Sequence, residues 1–127
     1  VTVNQERTRE MVGEPQADCV FCKIVSGDIP ATVVRETERT LTFRDISPQA
    51  PTHLLVVPRT HHADAAELAA AEPGTAAELL TEAGAAAAGE GLAAYRLIFN
   101  TGAEAGQTVF HAHVHVLGGK PLTEGLV

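Results

Sequence analysis

Apolar positions are scattered over the first part of the chain and become organised from residue 19 onward. Residues 1–17 are polar, include Pro15 and predict a flexible N-terminal tail. Val20, Phe21, Ile24 and Val25 suit a short helix over 19–25, closed by Gly27 as a left-handed cap. The β-branched run 31–36 predicts a strand, 37–39 a turn, and the alternating run 40–45 its hairpin partner. Pro48 and Pro51 keep 47–51 out of a regular central strand. Residues 53–58 are almost continuously apolar, the pattern of a strand buried on both faces. Thr60 as N-cap predicts a short helix to about Ala71. Pro73-Gly74 breaks it, and Thr75 caps a second helix to about Ala88. That second helix is rich in alanine, from compositional drift or from close packing against a sheet or its own twin; Gly84 costs it about 1 kcal/mol in propensity. Residues 95–100 predict a fourth strand, 101–106 a glycine-containing loop, and 109–117 a fifth strand closed by Gly118-Gly119. Strands joined by short turns favour a five-stranded antiparallel sheet with helices packed on one side, an α+β fold.

Composition narrows this picture. With 127 residues, 45% hydrophobic and 20% charged, the chain is one domain. It is long enough to bury roughly two-thirds of its unfolded surface without staples. Sixteen acidic against nine basic residues give a formal charge of −7. That balance excludes electrostatic coating of nucleic acid or an anionic membrane, and still allows a pocket for one small anion. No apolar run approaches the ~20 residues of a membrane helix. Residues 1–10 lack the apolar core of a signal peptide, so a cytoplasmic protein is expected.

The candidate chemistry lies in two clusters. Cys19 and Cys22 form a single C-x-x-C, which is no disulfide scaffold and leaves metal binding or redox chemistry. The redox reading is the weaker, since no β-α-β pattern surrounds the pair. His111, His113 and His115 alternate with Ala112, Val114 and Val116. On a strand the three imidazoles share one face, adjacent ones roughly 6.6–6.8 Å apart. Three histidines beside an apolar face are costly to bury without purpose. They suit a metal site, or nucleophilic and acid–base catalysis. Gly102 to Gly106, followed by Gln107 and Thr108, offers backbone N–H groups and a hydroxyl that could cradle a phosphate, and next to the histidines a phosphate site is favoured.

The run 106–117, with His111, His113 and His115, resembles the His-x-His-x-His signature of the histidine triad superfamily. Residues 22–30, residues 43–58 and Asn100 agree, and the nearest branch is the histidine triad nucleotide-binding proteins. The match covers about 18–119, making 18–119 the domain and 120–127 a C-terminal tail. The resemblance implies a homodimer whose sheet continues across both subunits, each subunit binding a purine nucleoside monophosphate. Val20, Phe21, Ile29, Phe43 and Ile46 would wall the base and sugar, with Asp45 accepting from the ribose hydroxyls. His113 would attack the α-phosphorus to form a nucleotidyl–histidine, which water then releases. His115 would hydrogen-bond the phosphate or leaving group, and His53 would orient the histidine network. Thr108 would supply its hydroxyl, while Asn100, Gly106 and Gln107 would position phosphate or loop. The implied substrates are nucleoside 5′-phosphoramidates. The alternatives are dinucleoside polyphosphate hydrolysis, nucleotidyl transfer, or a nucleotide-binding regulator with incidental hydrolysis. Bacterial relatives with this C-x-x-C imply structural zinc on Cys19, Cys22, His61 and His111; His62 could substitute for His61 but is expected as a solvent-facing helix residue. The tail has no Trp, whereas some relatives place an aromatic tail near the partner's site.

Overall fold

The structure, a computed structural model, describes residues 13–124. Of the expected flexible tail, residues 1–12 lie outside the described residues. Gly13 pairs with the body of the protein: its carbonyl accepts the His61 N–H at 2.9 Å.

Helix α1 spans Val20–Ser26. The Cys19 side chain caps it by accepting the Cys22 N–H, and Gly27 ends it at φ 87°. Strands β1 (Val33–Glu36), β2 (Thr40–Arg44) and β3 (Thr52–Pro58) follow, then helices α2 (Ala65–Ala71) and α3 (Pro73–Gly89). Strand β4 (Tyr95–Ile98), a 3₁₀ turn (Ala103–Ala105) and β5 (Val114–Gly118) complete the chain. All neighbouring strands are antiparallel, in the order β1-β2-β3-β5-β4.

Three of the boundaries that differ from the sequence expectation move for a clear local reason. Helix α2 starts at Ala65, because Asp64 accepts the Glu67 N–H at 2.9 Å while the Thr60 hydroxyl donates instead to Glu72 at 2.6 Å. Helix α3 starts at Pro73, whose ring pre-sets the first helical turn. Thr75 is therefore inside the helix rather than its cap, and its buried hydroxyl also donates to Glu72, at 3.1 Å. Strand β5 starts at Val114, not 109, since its pairings run no further than Val56↔Val114 and Ile98↔His115. Residues 109–113 approach it without ladder bonds; the Ala112 N–H is satisfied by the His62 carbonyl at 2.7 Å.

The even alternation survives this loss of ladder. Ala112, Val114 and Val116 pack with Leu54 and Val56 against Leu79, Ala83, Ala86 and Ala87 of α3. The alanines of α3 are thus the contact that lets a helix lie close to the sheet. Helix α1 corrects the expectation that all helices share one side. Its Phe21 and Cys22 pack with Leu41, Phe43, Leu55 and Val57 on the opposite face, the face of the histidines. Among the described residues no helix is long and apolar enough to cross a membrane.

Candidate active site

The three histidines are held by main-chain and side-chain partners that fix where each proton sits. The fully buried His111 has Nε2 2.9 Å from the Pro58 carbonyl oxygen, an acceptor only, so Nε2–H donates and Nδ1 keeps its lone pair. His113, also buried, donates Nδ1–H to the His111 carbonyl at 2.7 Å, which leaves its Nε2 with a lone pair. His115, half-buried on β5, has Nδ1 2.9 Å from Nε2 of His53. His53, from β3, accepts the Gln49 N–H on Nδ1 at 3.0 Å. Its Nε2 lies 3.4 Å from Asp45 Oδ2, and Asp45 Oδ1 accepts the Ser47 N–H at 2.7 Å. Burial disfavours the charged imidazoles, so His53 and His113 lie below the ordinary histidine range although Asp45 opposes the shift. His111 is pushed down to about 4 by burial and the neighbouring rings, against the hydrogen bond to Pro58.

His113 and His115 form one wall of a pocket of about 320 Å³, at the small end of the ~300–1,000 Å³ typical of ligand sites. The expected Val20, Phe21, Ile29, Phe43, Asp45, Ile46 and Thr108 all line it. Phe21 stands edge-on to His113, ring centres 5.0 Å apart at 90°, and packs on Phe43 at 5.6 Å. Ile46 is 97% exposed at the rim, positioned to cover an occupant rather than to fill a core.

Four expected residues stand off the wall. His53 lies behind His115. Asn100 donates to the Ala105 carbonyl at 2.8 Å, and Gly106 turns the loop at φ 94°. Gln107 accepts the Gly102 N–H at 2.8 Å and donates to the carbonyls of Ala63 and Val109. These residues shape the loop. Sequence reasoning missed Ile24, Pro30, Ala31, Arg44, Leu55 and Val109 as lining. Leu55 was recoverable, because alternation along β3 puts it on the face of His53. A wider cleft of about 410 Å³, bounded by Gln16, Asp18, His61 and Phe110, adjoins the pocket at Val20, Thr108 and Val109. None of the three triad histidines lines it, and the sequence carries no signal for it.

Cys19, Cys22, His61 and His111 bring their donor atoms within 4.8 Å of one another. The Nδ1···Sγ distances are 3.4 Å for His111–Cys19, 3.5 Å for His111–Cys22 and 3.4 Å for His61–Cys22. Tetrahedral zinc, with Zn–S of about 2.3 Å and Zn–N of about 2.0–2.1 Å, sets such an edge near 3.5 Å. The donor set fits zinc in type and spacing, and His111 already has its outer nitrogen anchored on Pro58. Burial pushes the Cys19 thiol up, so a cation is needed to hold it as thiolate. His62 is not a solvent-facing helix residue. It is buried ahead of α2, with Nε2 2.6 Å from Glu72. Asp45, His53 and His115 also converge within 4.8 Å. There the Gln49 N–H occupies Nδ1 of His53 and keeps the ring proton on Nε2, the atom that would have to bind a metal.

The HIT domain family model matches residues 26–122. The purine nucleoside phosphoramidase of Escherichia coli K12 is 40% identical over 107 residues, 83% of this chain and 90% of that protein. An uncharacterised HIT-like protein of Synechococcus elongatus is 45% identical over 106 residues, 83% of this chain and 93% of its own. Among solved structures, a HIT family hydrolase from Clostridium thermocellum superposes with TM-score 0.84 at 38% identity, covering 88% of this chain and 99% of that one.

Proposed function

The chain belongs to the HIT domain family, and from that premise we propose that it binds purine nucleotides and hydrolyses nucleoside 5′-phosphoramidates through a nucleotidyl–His113 intermediate. The observation that carries this reading is the 2.7 Å bond from His113 Nδ1–H to the His111 carbonyl. It directs the lone pair of a neutral imidazole, on Nε2, to the pocket side. The named activity of the Escherichia coli relative supports the substrate class.

In this reading Phe21, Phe43, Ile29 and Ile46 enclose the purine, and Asp45 accepts from the ribose hydroxyls. The Thr108 hydroxyl and the loop N–H groups receive the phosphoryl oxygens. His113 Nε2 bonds to the α-phosphorus as the P–N bond breaks and the amine departs. The Nδ1–H stays on the His111 carbonyl and steadies the positive charge on the ring. Water then attacks the phosphorus and frees His113. We place a structural zinc on Cys19, Cys22, His61 and His111, where it ties α1 to the segment that carries His113. We also propose a homodimer with the sheet continued across it, for which the open edge at β4 and its exposed Tyr95 are the support. Thiols held reduced for a metal suit the cytoplasm.

The test is AMP release from adenosine 5′-phosphoramidate. Wild type should turn over, and His113→Ala should lose at least a thousandfold while still binding AMP. Wild-type protein that binds AMP and releases none would sink the phosphoramidase reading.

A further inference from the structure

We infer that His115 serves the reaction as a fixed, neutral hydrogen-bond donor through Nε2, and that the proton carried away by the leaving amine comes from solvent, not from His115. The inference rests on the phosphoramidate reading above and deepens it.

It begins at a main-chain group. The Gln49 N–H lies 3.0 Å from Nδ1 of His53. An amide N–H cannot accept, so the ring proton of neutral His53 is on Nε2. The loop that presents Gln49 is braced at both ends: its side chain donates to the Ser47 carbonyl at 3.1 Å, and the Ser47 N–H donates to Asp45 at 2.7 Å. His53 Nε2–H then points at His115 Nδ1, 2.9 Å away, with Asp45 Oδ2 at 3.4 Å as a weaker second acceptor. His115 Nδ1 must accept. The single proton of His115 therefore sits on Nε2, the ring nitrogen left without a partner among the described residues, and His115 lines the pocket.

A general acid would have to start as an imidazolium. Its Nδ1–H would face the Nε2–H of His53 across 2.9 Å, two donors opposed, with only the more distant Asp45 Oδ2, 3.4 Å from His53 Nε2, to accept from either. His53 cannot reverse, because a proton on its Nδ1 would face the Gln49 N–H. The groups around His115 are the His53 ring from β3, the His113 ring before β5, and the Asp45 carboxylate from the β2–β3 loop. Burial and the two rings outweigh that one anion and hold His115 down to about 4. In the step itself the His113 Nε2–P bond forms and the P–N bond breaks. The bonding pair goes to the amine nitrogen, which takes up a solvent proton. His115 keeps its proton and shares its N–H with a phosphoryl oxygen.

Two measurements test this on the intact protein. Two-bond ¹H–¹⁵N correlation spectra of nucleotide-free, zinc-loaded protein at pH 7 should show both His53 and His115 as Nε2–H tautomers. In kinetics, His115→Gln puts an amide N–H where Nε2–H stood and should keep kcat within about tenfold of wild type, while His115→Ala should lose more than a hundredfold. General acids contribute roughly 10²–10⁴, and glutamine cannot supply that proton. An Nδ1–H tautomer or an imidazolium for His115 overturns the inference. So does a Gln variant as slow as the Ala variant, or an Ala variant as fast as wild type. Zinc content and AMP affinity report that both variants fold. Should wild type fail to cleave phosphoramidates, the substrate reading falls, while the spectra still decide the state of His115.

Discussion

Gln107 contributes to the pocket without touching it. Its side chain is 4% exposed and satisfies the Gly102 N–H and the carbonyls of Ala63 and Val109. Gln107→Ala leaves those three groups unpaired in a place water reaches poorly, each worth about 1–3 kcal/mol when buried. With partial relaxation of the loop, a loss of about 2–4 kcal/mol is expected in urea unfolding, together with a higher KM for the phosphoramidate. The family resemblance leaves Gln107 and Asn100 to position phosphate or loop, because a polar residue in a glycine loop reads alike whether it faces a ligand or backbone; their bonds here are to backbone. The identities of His111, His113 and His115 were legible from their spacing. Their proton positions were not, since two of the partners are carbonyls, of Pro58 and His111, and every residue has one.

At the scale of the element, α1 joins two tasks on seven residues. It carries Cys22, is capped by Cys19, and lends Val20, Phe21 and Ile24 to the pocket wall. So short a helix is marginal by itself and depends on what its side chains grip. Stripping the proposed zinc with a chelator should lower Tm and weaken AMP binding at least fivefold by calorimetry, and Cys22→Ser should do the same. AMP affinity that is unchanged in metal-free protein would count against α1 being metal-held. The strands and helices were read correctly from periodicity. Their ends moved where a group was committed elsewhere, as the Thr60 hydroxyl is to Glu72. The path of 109–113 could not be foreseen, because alternation reports which way side chains point and is silent on whether a neighbouring strand extends far enough to pair.

Across the whole molecule the sheet has two unlike faces. The face under α3 is apolar, whereas the other carries the imidazoles, whose charged forms are disfavoured by burial. The unfolded chain therefore takes up protons as pH drops below about 6.5, while folded His115 holds off to about 4. Such a group leaves stability intact above pH 6.5. It then removes up to about 1.4 kcal/mol per pH unit until its folded value is reached. Scanning calorimetry should show Tm falling steadily from pH 6.5 to 4.5, and a level Tm over that range would contradict it. The proton positions themselves have a different kind of permanence. They are dictated by the main chain at Pro58, His111 and Gln49, and nearly every substitution leaves a carbonyl a carbonyl. The chemistry is thus inherited with the path of the backbone. A lineage could rebuild every pocket wall to suit a new ligand and still receive the proposed nucleophile already aimed.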